Sequence, residues 1–584
     1  MDMGVENRAF SNEETNSPSN KKQAISKHAD IKHLQEHYDK ITDNKLPDYL
    51  HRGDITSVNR FLGYHDAMMA TCGTFLVLPL RNLSNMVLRE EFEEKEKNHE
   101  LPHDPIVVGD LAEYLDVMHP EFFMFFLGFL IICTIWESNN IRTIVIKRFD
   151  DFMVLLGIMQ MFAIIVLPFS IALQGHWPAD QVTVLMTTII LIVINVLDII
   201  MVIYGFNCPR LLNMAIRDWD KKERRRFMFT MCIKPIFEIF LVGIAGAFIK
   251  LNYRVSWAMF AFLILWPVQN QLFFYFRRRR TSESKQEKRR FFYYFSKGQI
   301  SKERLEAFTD AAVAIIACVL ILDITVEEFP TSKKVEKEGL LAVLEHMILE
   351  FGAFFGTYLA ISFLWYVNHT VIHLFHTVDS VVLYLQKFFL AVLSLAPLCS
   401  HMLVKFELGN RNTQVAVLVS SLVFFAASIT QVMMLAWGYY KGGKLIHHWA
   451  VYDKDNENNQ KQYSYIRGKV ATLPVWSFIG IFSHYGKGDV PSIITVACIA
   501  GTFLTFIFLK FYYMNHLGKA AIFSLNQSTS PMSADDLEMR NEMKTEIDDG
   551  KILNEHEISK LDGNYKELDG ESFKEENTRE EIGV

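Results

Sequence analysis

The sequence predicts an all-α multi-pass membrane protein with twelve transmembrane helices, arranged as two parallel six-helix repeats. Three observations carry that prediction. First, half of the 584 residues are hydrophobic and the mean hydropathy is positive. The apolar residues gather in blocks of about 17–25, the length an α-helix needs to cross a bilayer. Second, a charged head precedes such a block twice. It reads Arg60-x-x-x-Tyr64-His65-Asp66, then Arg304-x-x-x-Phe308-Thr309-Asp310, the two aspartates 244 residues apart. That spacing is far beyond a solenoid period. Third, residues downstream match at a slowly drifting offset. Trp136 pairs with Trp365 and Pro168 with Pro397 at 229, Asp198 with Gln431 at 233, and Pro235 with Pro474 at 239. Six spans per half is an even number, so the halves run parallel, related by an axis along the membrane normal.

Residues 1–57 are polar and poor in apolar runs, which predicts a mostly disordered tail. No apolar signal region lies near Met1, so the first span is expected to direct insertion. The first repeat, 58–275, holds spans near 58–80, 119–138, 150–173, 183–206, 227–249 and 255–275. Pro168 is expected to interrupt the third of these, and Pro397 its counterpart. Each proline removes a backbone hydrogen bond that neighbouring helices must replace. Residues 276–302 form a basic linker that includes Arg277–Arg280. The second repeat, 303–513, holds spans near 303–325, 347–367, 378–402, 414–438, 466–484 and 490–513. Residues 514–584 are an acidic tail, in which Tyr565-Lys566-Glu567-Leu568 fits a Tyr-x-x-apolar sorting pattern.

The net charge of −7 is unevenly spread. The linker, and the loop with Arg217, Lys221, Lys222 and Arg224–Arg226, fall on the same side as both tails. The opposite loops are sparse in Lys and Arg or acidic, as in Glu90–Glu100. The positive-inside rule therefore puts both termini in the cytosol. The arginine run also suits anionic lipid. Seven cysteines show no metal or redox spacing, and Cys72, Cys133, Cys232, Cys318 and Cys498 read as small buried hydrophobes. No hydrolase, metalloprotease or phosphate-loop motif occurs, nor a TVGYG-like carbonyl filter. No enzyme activity, cofactor, metal or nucleic-acid partner is expected. His369, His373 and His376 read as a partly solvated interfacial cluster.

Ionisable residues at membrane depth are informative because they are costly there. Lys234 and Glu238 are four residues apart and suit a pair on one helix. Asp198 has an uncharged Gln431 at its counterpart, which suggests hydrogen bonding between helices. Glu137 is expected to face the cytosolic interface. In each head, Arg and Asp are six residues apart, about 240° around a helix. They cannot pair with each other, so each needs partners on other helices, and the head reads as a clamp. Beyond the second head, Ile315, Cys318 and Leu322 share one helix face. The first-repeat counterparts are Thr71, Thr74 and Leu78. Ala311, Ala314 and Ala317 lie elsewhere, where small residues favour close helix packing.

The two heads, each opening a six-helix repeat, resemble those of the transmembrane protein 175 family. The second is the better match, with SKERLEAFTDAAVAII, LILDI and then FLWYVNH. The resemblance covers about residues 57–515 and includes the supporting Trp136 and Trp365. It implies a potassium-permeable and proton-permeable channel of endosomes and lysosomes. It also implies a homodimer in the membrane lipid, with four first helices around one pore. The family's narrow point is an isoleucine five residues beyond the motif aspartate, with a threonine-bearing turn after it. Those positions are Ile315 and Cys318 here, and Thr71 and Thr74 in the first repeat. Thr71, Cys318 and Tyr64-His65 depart from the family pattern, which bears on selectivity for potassium over sodium. The alternative reading is a secondary transporter with two six-helix halves and a midplane site.

Overall fold

A computed structural model describes residues 56–81, 85–97, 105–217, 219–248, 252–265, 301–322, 325, 335–337, 339–406, 410–447, 450–452, 454 and 457–527. The tails, the run Arg277–Arg280, the end of the sixth expected span and the Tyr565 pattern lie outside them. The described chain is overwhelmingly helical. In order, the helices are α1 (Val58–Phe75), α2 (Val77–Arg81), α3 (Arg89–Lys97), α4 (Leu111–Val117), α5 (His119–Val145) and α6 (Asp151–His176). There follow α7 (Gln181–Asn207), α8 (Lys221–Phe248), α9 (Tyr253–Ile264), α10 (Lys302–Leu322), α11 (Leu340–His346) and α12 (Ile348–Leu374). The last are α13 (Ser380–Leu393), α14 (Ala396–Lys405), α15 (Arg411–Lys441), α16 (Glu457–Ser483) and α17 (Val490–Gln527). Among the described residues nine helices are long and apolar enough to cross a membrane. The chain divides after Phe511, and the second unit is helical as far as Gln527.

Several boundaries differ from expectation. The first span breaks at Leu76, between α1 and α2. The second runs on to Val145, well past residue 138, so Glu137 lies inside a helix and is buried instead of facing an interface. The two prolines of the third spans behave differently. Pro397 sits in the first turn of a new helix, α14, where a missing N–H leaves no bond unmade. Pro168 lies inside an unbroken α6, which packs against α5 and α7. Neighbouring helices make such an interior proline tolerable at membrane depth. The segment before α5 also holds structure that the hydropathy pattern does not signal. Met86–Leu88 pairs in parallel with Ile106–Val108, and Asp110 caps α4 by accepting from Glu113 N at 2.9 Å.

The ends of the third spans are built alike. Asp150 and Asp379 each cap a helix, accepting from Met153 N at 2.9 Å and Val382 N at 3.0 Å. The second oxygen of each takes a donor from the following span: Tyr204 Oη at 2.5 Å on Asp150, and Trp437 Nε1 at 2.9 Å on Asp379. Antiparallel bridges join Ile146 to Leu212 and Phe375 to Ile446. Beside them, the helix glycines Gly205 and Gly438 face Ile146 and Phe375. A Cβ on either would fall under 3.0 Å from those side chains. Between the two halves α1 packs against α10, and α10 also meets α12, α13 and α14. One apolar cluster runs through this seam, including Met69, Phe129, Phe308, Ile316, Ile361 and Phe389. Large apolar side chains on α6, α7 and α8, such as Phe162, Val182 and Phe240, are exposed, as lipid-facing positions are.

Candidate ion-conduction site

The site is the α1–α10 seam and the two heads that open those helices. In the first head Asp66 is 2% exposed. Its Oδ1 accepts from Trp136 Nε1 at 2.7 Å and from Arg304 Nη2 at 2.5 Å. Arg304 belongs to the second head, so the guanidinium crosses from one half to the other. Phe308 is buried beside it and stacks on Trp136, with ring centroids 4.6 Å apart and planes 26° apart. The aromatic and the cation of the second head thus close the first.

The second head is open. Asp310 is exposed and accepts from Trp365 Nε1 at 2.8 Å. Trp365 is 36% exposed and stacks on His369, 5.6 Å between centroids. Tyr64, the counterpart of Phe308, is 57% exposed. Arg60 lies in α1, but its side chain is outside the described residues. The third head positions are buried in both copies. His65 Nε2 accepts from Asn139 Nδ2 at 2.6 Å. Thr309 donates to Leu305 O at 2.8 Å and accepts from Gln386 Nε2 at 2.9 Å.

The candidate lining residues are not all placed alike. Thr71, Leu78, Ile315 and Leu322 are half-buried, and Cys318 is exposed. Cys318 therefore departs from the buried-hydrophobe expectation, whereas Cys72, Cys133, Cys232 and Cys498 are buried. Thr71 donates to Ala67 O of its own helix at 2.8 Å. Thr74 is enclosed within the chain, its hydroxyl 3.0 Å from both Ala70 O and Thr71 O. Such back-bonding satisfies the hydroxyl donor locally.

Two buried ion pairs escaped sequence reasoning. Lys387 on α13 donates to Glu137 on α5 at 2.6 Å, and neither side chain is more than 5% exposed. A lone lysine in an apolar run was the available signal. Arg142 pairs with Asp198 and also donates to Gln160 Oε1 at 3.1 Å. Asp198 is therefore a charged partner, unlike Gln431, which donates to Leu364 O at 2.7 Å. Arg142 was hidden because it lies beyond the apolar stretch of its helix. Lys234 and Glu238 do meet, at 3.5 Å. His369 and His373 stack 6.2 Å apart, and His376 packs on His447.

Residues 60–168 and 304–397 match the family described as endosomal/lysosomal potassium channel TMEM175. Each matched segment begins at one head. A Danio rerio protein named as an endosomal/lysosomal proton channel is 26% identical over 426 residues, which cover 72% of this chain and 76% of that protein. A potassium channel of Streptomyces collinus is 30% identical over 142 residues, 24% of this chain and 66% of the relative. A crystal structure of a lysosomal potassium-selective channel homologue from Chamaesiphon minutus is 19% identical. It covers 36% of this chain and 97% of its own, with a TM-score of 0.28.

Proposed function

The chain belongs to the TMEM175 family, which consists of channels and not enzymes, and on that premise we propose that it conducts potassium ions and protons across endosomal and lysosomal membranes. It works as a homodimer of twelve-span chains, each with two parallel six-helix repeats and both termini in the cytosol. The paired Asp150 and Asp379 caps, with their matching Tyr204 and Trp437 donors, support the repeat reading. Two copies of α1 and two of α10 surround one pore. Ions pass an apolar row made by Thr71, Leu78, Ile315, Cys318 and Leu322, and no ring of carbonyls strips them of water.

The observation that carries the dimer is the unequal closure of the two heads. Within one chain, Arg304 and Phe308 reach across to Asp66 and Trp136. The complementary set, Asp310 and Trp365 with Tyr64, is left exposed. A second copy related by a two-fold axis brings its Tyr64 to Trp365, beside Asp310, and receives the same in return. Such an interface is isologous, as closed dimers require.

The conduction reading is tested by single-channel recording from purified protein in a defined bilayer. Unitary currents far above about a thousand ions per second support a pore, because alternating access runs on conformational steps of microseconds to milliseconds or longer. Slow, coupled flux without unitary events would favour the transporter.

A further inference from the structure

In the second half of the chain α12, α16 and α17, together with α14 and α15, line a cavity of about 420 Å³. Small residues line it, among them Gly352, Gly356, Ala360 and Gly480, with Trp476 at its wall. The counterpart of Gly352, 229 residues earlier, is Phe123, whose ring stacks on Trp257 at 5.1 Å. At that position the second half has the small residue and the first an aromatic pair.

Further along α12, α16 and α17 the chemistry changes from apolar to basic. Lys469 of α16 is 5% exposed. Its ammonium donates to Thr370 Oγ1 and lies 3.2 Å from the centre of the Tyr366 ring. Neither partner is a carboxylate, and a buried cation is costly without an anion beside it. Tyr465 bonds to Tyr366, and the Lys510 ammonium of α17 is near enough to act on Tyr366 electrostatically. Tyr366 packs on Phe506 at 5.5 Å, and Phe506 on the cavity residue Phe363 at 5.6 Å. An aromatic run thus joins the basic end to the cavity.

The geometry points to a binding site for one anionic phospholipid, its phosphate on Lys469 and Lys510 and an acyl chain in the cavity. Lys469 and Trp476 are seven residues apart, about 10 Å of helix rise, which a single acyl chain spans. Lys510 lies twenty residues beyond Val490, the start of α17. That is about 30 Å of helix, the full hydrocarbon thickness, and it puts Lys510 at headgroup level. The leaflet is the one on the side assigned to the cytosol, where anionic lipids concentrate and basic pockets between helices take their headgroups. A free anion would satisfy Lys469 but leave the apolar cavity unused.

The test places full-length protein in phosphatidylcholine vesicles doped with phosphatidylserine, with bromine on the acyl chains of one lipid at a time. Bromine quenches nearby indoles, and the Trp476 contribution is the difference from Trp476→Phe. Brominated phosphatidylserine should quench Trp476 severalfold more than brominated phosphatidylcholine at equal content. Lys469→Gln and Lys510→Gln should each remove that preference, and Gly352→Phe should reduce quenching by both lipids. Lys510 is exposed, so its variant tests the site without disturbing the fold. Equal quenching by the two lipids in the wild type would overturn the proposal. So would a preference that survives in the double variant. Loss of the preference on adding inorganic phosphate at constant ionic strength would overturn the lipid assignment in favour of a free anion.

Discussion

The two heads share a sequence pattern but not surroundings. The first is sealed: Asp66 is enclosed between Trp136 and Arg304, and Phe308 covers the indole. The second offers the same aspartate and tryptophan to the outside, as Asp310 and Trp365. The closed seam also holds Lys387 and Glu137, whose counterparts 229 residues away are Ile158 and Tyr366, so that pair exists on one side only. Equivalent residues therefore do different work. One set holds the two halves of a chain together, and the other is left exposed.

The largest effect is expected at the charge pair inside the closed seam. Lys387→Met leaves Glu137 buried and unpaired, at a cost of about 3–5 kcal/mol. The double variant with Glu137→Leu should recover most of that loss, because two apolar residues replace a buried pair at little cost. Thermal unfolding in detergent reads both, and equal losses in the single and double variants would show that the pair does not stitch the halves.

Next comes the head itself. Asp66→Ala strands the Arg304 guanidinium and the Trp136 N–H, and should cost somewhat less, about 3 kcal/mol, because Arg304 is only partly buried. Asp310→Ala should leave subunit unfolding almost unchanged and weaken the dimer, which native mass analysis detects. If the two aspartate variants behave alike in both measurements, the contrast between the heads has no functional meaning.

A third test moves from assembly to permeation. Thr71→Ile gives the row four branched apolar side chains, and conductance should fall because an apolar constriction gates partly by excluding water. Ile315→Thr should raise leak and blur potassium over sodium. Thr71 already bonds to Ala67 O, so its oxygen affects the lumen as an acceptor only. Unchanged conductance and reversal potentials in both variants would show that this layer is not the constriction.

The smallest effect concerns the matched caps. Tyr204→Phe removes one hydrogen bond to Asp150 and should cost about 1 kcal/mol. Trp437→Phe should cost a similar amount at Asp379, plus some lost packing. A large difference between them would argue against equivalent halves.

The heads, their tryptophans and most of the spans were legible because charge inside an apolar run stands out, and because it recurs at repeat spacing. Helix ends were less legible. A hydropathy window closes where polar residues begin, yet α5 continues for two more turns and carries Arg142 to Asp198. Pro168 misled for a related reason, whereas Pro397 does interrupt its span. Pro168 and Pro397 occupy matching positions, but only Pro397 starts a helix, and the surrounding packing decides that. The parallel strand pair before α5 is too short to leave an alternating pattern. Lys387 was visible in the sequence, but its partner sits 250 residues away on another helix, where no local spacing points.

The central claim is that Tyr64 and Trp365 meet across a two-fold axis. Oxidative crosslinking of a variant carrying Tyr64→Cys and Trp365→Cys, with the exposed Cys318 replaced by Ser, tests it directly. The account predicts a covalent dimer that retains unitary currents in a bilayer. A protein that conducts with unitary events while remaining monomeric under the same oxidation would contradict it.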